Sequence, residues 1–423
     1  MPINLAPPNV LLITLCSWRV DHTGAYGYAK ATTPHFDAFA RDAMLFDEAY
    51  ANATFTDISH ASLFTGLLPG HDGILDVGDH IRADIHTLPE VLAAYGYRSV
   101  AVLDHASGMA PPVVETMARG FGTILDAPGD ALGPSLMRWI EQGNQPWLAW
   151  IHLRRAHIPY GPGAPFTDHV EPAVREWIGH QGKPPGPSDT DDRNQRFAAA
   201  MAENPAISDS LRAVYDSGLA RSDAQLGQVL DALAARDFNR NTTVVIAADH
   251  GELLGESGQF GHQGQLAEPV LHVPLLIRAP GGHAGRSDAL VSLVDLMPTI
   301  EGIVGAKPQA TADGANLSPV LSGGTMPVRS VLAQAVRRAG ERGSVDLYEA
   351  LIQPPYWLSS SATASRLWHA ELDHWSDVTA DEPARLAEMN EARAKRSEGT
   401  SFRAIRNVVP PAQKQQMQEQ GYW

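Results

Sequence analysis

Val10-Leu11-Leu12-Ile13-Thr14-Leu15 reads as a strand buried on both faces: it is continuously apolar, rich in branched side chains, and the longest such run in the chain. Cys16 and Ser17 follow it at once. Shorter or similar runs recur at 99–103, 147–153, 243–248 and 273–277, and are read as further buried parallel strands. Helical patterns lie between them. Thr33-Pro34 opens one, with Thr33 as N-cap and the pattern running to about Ala43; others cover 88–95 and 210–236, and Asp295 caps one more. Strands alternating with helices predict an α/β protein built on a doubly wound, mostly parallel sheet covered on both faces.

The chain has 423 residues, a length suited to two or three domains. With 44% hydrophobic residues it can bury a large core, and with Cys16 as its only cysteine it is no disulfide scaffold. A formal charge of −16 repels phosphate backbones, so nucleic-acid partners are not expected. Every apolar run is far shorter than the ~20 residues of a membrane span, so no membrane partner is expected either. The first residues lack the basic and apolar regions of a signal peptide, and the expected compartment is the cytoplasm. Nothing in the sequence specifies an oligomeric state. The alternation holds through an α/β domain at 1–322, interrupted by a Pro/Gly/Asp-rich excursion at 159–207 that reads as a lid or insertion. A smaller C-terminal subdomain and tail are expected at 323–423.

In open parallel sheets, functional groups collect at the carboxyl ends of strands. Asp249 and His250 follow one such strand, and a carboxylate with an imidazole suits a divalent metal. The segment from Thr54 to Gly66 reads as a polar turn feeding a short helix that stops at Gly66. A hydroxyl at the start of such a helix sits among free N–H groups, where an anionic substrate is favoured. Thr56 is therefore a candidate nucleophile if a metal lowers its pKa, with a simple helix cap as the competing reading.

Several blocks in order resemble the sulfatase family of the alkaline-phosphatase superfamily. They are Asn9 to Leu15 with Arg19, Asp21-His22 and Gly24; Ser59-His60-Ala61-Ser62-Leu63-Phe64-Thr65-Gly66; Ala248-Asp249-His250-Gly251-Glu252 with Phe260-Gly261-His262; and Val291 to Thr299. The resemblance spans roughly residues 8–305. It implies an alkaline-phosphatase-like doubly wound sheet with a small C-terminal subdomain carrying a short antiparallel sheet. It also implies a hydrolase that cleaves a small-molecule sulfate, phosphate or phosphonate ester through a covalent adduct beside one divalent metal.

Carried over by position, the resemblance makes Thr56 the nucleophile, where relatives hold a Cys or Ser that is oxidised to formylglycine. Thr cannot become formylglycine, and the family's following Pro and Arg are absent from Thr56-Asp57-Ile58-Ser59-His60. A Thr alkoxide fits phosphoryl-type chemistry, as in superfamily phosphodiesterases and transferases. Cys16, Ser17, Asp249 and His250 fall on the metal positions, and His60, His157 and His262 on the substrate side, His157 and His262 also as proton donors. Relatives carry an Asp where Cys16 stands. A thiolate there favours Zn or Mn over Ca or Mg; alternatively Cys16 is a buried thiol and the chain a non-catalytic binding or scaffolding module with a degenerate metal site. Asp223 is followed four residues later by Gly227 rather than His, which argues against a second metal.

Overall fold

The computed structural model describes residues 7–104, 109, 111–160, 170–180, 189–236, 238–262, 264–339, 344–371 and 374–400. In chain order its first strands are β1 (Asn9–Leu15), β2 (Met44–Tyr50), β3 (Arg98–Leu103), β4 (Thr123–Asp126), β5 (Trp147–Leu153) and β6 (Thr242–Ala248). The two-residue strands β7 (Leu253–Leu254) and β8 (Phe260–Gly261) follow, then β9 (Leu275–Arg278) and β10 (Gly285–Ser292). Among the described residues, eight of these form one sheet in the order β10-β2-β9-β6-β1-β5-β3-β4. Every residue of β5 and β6 is buried, as continuously apolar strands covered on both faces must be.

One strand departs from the parallel expectation. β9 runs antiparallel to both β6 and β2. The reason is where it begins: the Ala248 amide donates to the Pro274 carbonyl, so the chain re-enters the sheet at the rim where β6 left it. No crossover carries it to the other end, and only an antiparallel return is possible. β2 and β10 escaped the sequence reading because both carry charged residues, Asp47 and Glu48 in one and Arg286 and Asp288 in the other, towards an edge of the sheet.

The helix after Thr33 is α1 (Pro34–Ala40), shorter than the pattern to Ala43. Thr33 stands at its N-cap position as expected, but its hydroxyl bonds Asp37 rather than a first-turn amide. The cap comes from far away. The two Asp223 oxygens accept from the His35 and Phe36 amides at 2.9 and 2.8 Å, satisfying free donors of the first turn. Gly227 lies one turn on because a Cβ there would stand 2.4 Å from the His35 ring. Asp223→Ala is expected to lower the unfolding free energy by about 1 kcal/mol, the usual worth of a cap; an unchanged urea midpoint would contradict this assignment.

The longest helix, Pro205–Ala234, extends the pattern at 210–236 by one turn at its start, with Asn204 as its cap. The excursion holds two helices, Pro172–His180 and Asp189–Glu203, while its residues 161–169 and 181–188 lie outside the described ones. Trp177 stacks on Phe197 with ring centroids 5.0 Å apart, and both rings meet Phe260, fastening these helices to the strand end beyond β6. No helix among the described residues is long and apolar enough to cross a membrane.

A second, antiparallel sheet forms the small C-terminal subdomain: β11 (Val331–Ala339), β12 (Ser344–Gln353), β13 (Tyr356–Ser360), β14 (Ser365–Glu371) and β15 (His374–Asp377). The helix Pro383–Arg396 covers it through Met389, in a cluster with Leu332, Leu351, Leu358 and Leu367. The tail from 401 lies outside the described residues. Leu68 of the main domain joins the same cluster, and Arg329 reaches Asp295 with both carboxylate oxygens within 2.9 Å. Among the described residues, apolar contact, the Arg329–Asp295 ion pair and hydrogen bonds of Asn52 with Leu332 and Gln334 join the subdomain to the main domain.

Candidate active site

The rim where β1, β5 and β6 end faces the start of α2 (Thr56–Thr65). α2 is buried along its whole length and ends at Gly66, whose φ of 67° is the left-handed turn that favours glycine. Thr56 is its first residue, with Phe55 as the flanking cap position. The hydroxyl carries no capping bond; it faces the strand ends. Its oxygen lies 3.2 Å from His250 Nε2 and 3.8 Å from Cys16 Sγ.

Asp249 is fixed at one oxygen and bare at the other. Oδ1 accepts from the Ser17 amide at 3.2 Å and the His250 amide at 2.8 Å. Oδ2 is buried and has no hydrogen-bond partner, with His250 Nε2 at 3.6 Å and His60 Nδ1 at 4.0 Å. Burial pushes the Asp249 carboxyl up. Its backbone is held by the Ser59 hydroxyl, which donates to the Asp249 carbonyl at 2.6 Å. Gly251 is demanded by close approach: a Cβ there would meet the Pro269 carbonyl oxygen at 2.0 Å.

Cys16 Sγ, an Asp249 oxygen and a His250 nitrogen lie within 4.8 Å of one another, so three of the four residues expected at a metal come together. The unpartnered carboxylate oxygen beside an imidazole nitrogen that meets only the Thr56 hydroxyl fits a cation. Ser17 contributes through its backbone. Its φ of 57° is left-handed, a strain of about 1–2 kcal/mol for a residue with a Cβ. Bonds from its amide to Asp249 and from the Tyr215 hydroxyl to its carbonyl hold it there. Burial pushes the Cys16 thiol well up, so without a cation it is neutral.

The histidines follow one rule. His250 Nδ1 donates to the Gly251 carbonyl at 2.9 Å, His262 Nδ1 to the Thr54 carbonyl at 2.6 Å and His157 Nδ1 to the Ile158 carbonyl at 2.6 Å. A carbonyl only accepts, so each ring carries its proton on Nδ1 and presents Nε2 as a lone pair. Burial lowers all three, His250 to about 4. His262 stacks on His250 at 4.2 Å and meets His157 edge-on at 5.6 Å, so the three rings form one wall. His60 is different. Its Nδ1 donates to the Thr56 carbonyl at 2.6 Å and its Nε2 bonds the Thr14 hydroxyl at 2.9 Å, leaving no free nitrogen for a substrate. Burial lowers its pKa as well.

Sequence reasoning passed over His152 and gave Glu252 no role. Both are fully buried. The carboxyl of Glu252 is pushed up to about 8 by burial, with the Arg19 guanidinium and the Ser17 hydroxyl opposing the rise. The only signal for His152 was a polar side chain in the middle of Trp147-Leu148-Ala149-Trp150-Ile151-His152-Leu153.

A sequence profile of the sulfatase family matches residues 8–306. A sulfatase of Formosa agariphila is 25% identical over 364 residues, covering 73% of this chain and 72% of that protein. The N-acetylgalactosamine-6-sulfatase of Canis lupus familiaris is 26% identical over 366 residues, covering 77% and 68%. Among solved structures, the phosphonate monoester hydrolase of Agrobacterium radiobacter superposes with a TM-score of 0.74 at 22% identity, over 92% of this chain and 96% of that one. The phosphonate monoester hydrolase of Silicibacter pomeroyi gives a TM-score of 0.73 at 18% identity, over 96% and 98%. The chain belongs to the sulfatase family and is an ester hydrolase.

Proposed function

We propose that this chain hydrolyses a small-molecule sulfate or phosphonate ester through Thr56 as nucleophile, next to one divalent cation at Asp249 and His250. One observation carries the reading: the Thr56 hydroxyl sits 3.2 Å from His250 Nε2, beside a buried carboxylate oxygen with no partner. The dog and Formosa relatives are named as sulfatases and two structural neighbours as phosphonate monoester hydrolases, which supports the two ester classes.

A cation held there supplies charge that lowers the pKa of the neighbouring hydroxyl and favours the developing negative charge. The rest belongs to the chain. The start of α2 adds its N–H groups to the electrostatic stabilisation of the transferred group. Thr56 Oγ1, its proton lost to solvent, forms a bond to sulfur or phosphorus as an alkoxide; the bond to the leaving oxygen breaks, and that oxygen takes a proton from the protonated imidazole of His157 or His262. Water then attacks the Thr56 ester, returns a proton to the bare Nε2 and frees Thr56. Formylglycine is outside this scheme, since the β-methyl of threonine blocks oxidation to an aldehyde.

The free imidazoles lie below their ordinary pKa, so near neutrality they are unprotonated. An anionic substrate raises them. Anion binding is therefore expected to be coupled to proton uptake and to strengthen as pH falls. Calorimetry of phenyl sulfate binding to Thr56→Ala in buffers of different ionisation enthalpy checks this, and a buffer-independent enthalpy would contradict it.

The decisive test is turnover of p-nitrophenyl sulfate and p-nitrophenyl phenylphosphonate with Zn²⁺, Mn²⁺, Mg²⁺ or Ca²⁺ added to chelator-treated protein. Restoration by one cation at about one per chain is expected, with Zn²⁺ or Mn²⁺ the most effective. Failure of every cation to bind would favour a binding or scaffolding role.

A further inference from the structure

β1 and β5 end side by side at the rim that faces Thr56. Their parallel register pairs Thr14 with His152 and Leu15 with Leu153. The Cys16 amide donates to the Leu153 carbonyl at 2.9 Å, so the ladder runs one step past the strands and brings Arg154 abreast of Cys16. Side chains alternate between the two faces of a sheet, and paired positions of neighbouring strands share a face. The contacts of this sheet identify that face. Thr14 Oγ1 meets His152 Nδ1 at 2.8 Å, and His60 of α2 reaches the same hydroxyl at 2.9 Å. Cys16 Sγ lies 3.8 Å from Thr56 Oγ1. Thr14, Cys16 and His152 therefore look towards α2, and Arg154, two residues after His152, leaves β5 on the same side. Its carbonyl accepts from the His157 amide at 3.0 Å, a turn that keeps the two residues together. Arg154 is half-buried, and its positive charge acts on Cys16, His152 and His157 alike.

The chemistry calls for such a charge. A sulfonyl or phosphonyl group carries negative charge on its non-bridging oxygens throughout its transfer. Burial keeps His157, His250 and His262 unprotonated near neutrality, and His60 has both nitrogens occupied. A guanidinium stays charged at any working pH and offers parallel N–H groups to two oxygens of one tetrahedral group. We propose that Arg154 is a catalytic residue that clasps the non-bridging oxygens of the transferred group while Thr56 attacks it. The start of α2 and Arg154 then share the stabilisation of its charge. A neutral carboxylic ester offers no second acceptor oxygen of this kind and is selected against. The inference rests on the proposed function for the place of the substrate.

The test uses the full chain with Zn²⁺ present, and inorganic sulfate as the probe. Calorimetry is expected to show sulfate binding to wild type that weakens at least ~10-fold in Arg154→Ala, the scale of a hydrogen bond between charged groups. Arg154→Lys, which keeps the charge but not the fork, is expected to fall between the two. Turnover of p-nitrophenyl phenylphosphonate is expected to drop by about 10²–10³-fold in Arg154→Ala, as on removal of one donor to a developing oxyanion. Added guanidinium should restore part of it, and Zn²⁺ affinity should not weaken. Wild-type sulfate affinity and turnover in Arg154→Ala would overturn the inference and leave the Thr56 chemistry standing. Weakened Zn²⁺ binding with no rescue by guanidinium would mark a structural role and overturn it too. If Arg154→Ala fails to fold, Arg154→Lys decides, and an unchanged sulfate affinity in it overturns the inference, as does a wild type that binds no sulfate. A wild type that binds sulfate through Arg154 but hydrolyses neither ester supports the inference and sinks the proposed function alone.

Discussion

Thr56→Ala is expected to reduce turnover of the aryl sulfate or phosphonate by on the order of 10⁴-fold or more, the scale on which loss of a nucleophile is felt. No neighbouring hydroxyl can stand in. Ser59 Oγ donates to the Asp249 carbonyl, and the Ser17 hydroxyl lies beyond Cys16 Sγ at 3.9 Å from that sulfur. The lost side chain is small and its hydroxyl meets only site residues, His250, Cys16 and Asp249, so the fold should survive. Thr56→Ser keeps the oxygen and is expected to retain turnover within about tenfold. Steady-state kinetics decides the matter, and a Thr56→Ala rate equal to wild type would remove Thr56 from the chemistry. The thiol of Cys16, 3.8 Å away, cannot replace it readily, since burial keeps it protonated.

The second large effect is on stability. Asp295 is fully buried and accepts from the Ser292 and Ala315 amides, both at 2.7 Å; Arg329 pairs with it at 2.8 Å, and Arg396 also interacts with it electrostatically. Arg329→Met removes the ion-pair partner of that carboxylate, and breaking such a buried pair costs about 3–5 kcal/mol. The pH dependence has a definite sign. Burial already raises the Asp295 carboxyl in the wild type, and losing Arg329, which opposes the rise, raises it further. The folded state of the variant then holds a proton that the unfolded state has released, so its stability falls as pH rises above the ordinary Asp value. Thermal unfolding should show a wider gap between variant and wild type at pH 8 than at pH 5. An equal gap at both would mean that Asp295 stays charged or is rescued by another group.

How much of this was legible depends on what kind of signal each residue leaves. β1, β5 and β6 announce themselves, because strands buried on both faces must be apolar throughout. β9 announces its existence but not its direction, which is set by where the preceding loop returns, here through the Ala248–Pro274 bond. Thr56, Asp249 and His250 were legible as strand-end and helix-start residues, and the structure brings them within hydrogen-bonding distance or close to it. Asp223 entered the sequence reading only as an argument against a second metal; its partners are two amides almost two hundred residues earlier in the chain, a pairing no local pattern encodes. His152 was hidden for a similar reason: its partner is the Thr14 hydroxyl across the sheet, shared with His60.

The central claim is that the Thr56 oxygen becomes covalently attached to the transferred group. Rapid acid quench of the metal-loaded enzyme during turnover of p-nitrophenyl phenylphosphonate, followed by peptide mass mapping, tests it most directly. The account predicts a phenylphosphonyl group on the peptide carrying Thr56, absent from Thr56→Ala. Active turnover with the adduct on another residue, or an adduct at the same peptide in Thr56→Ala, would contradict it.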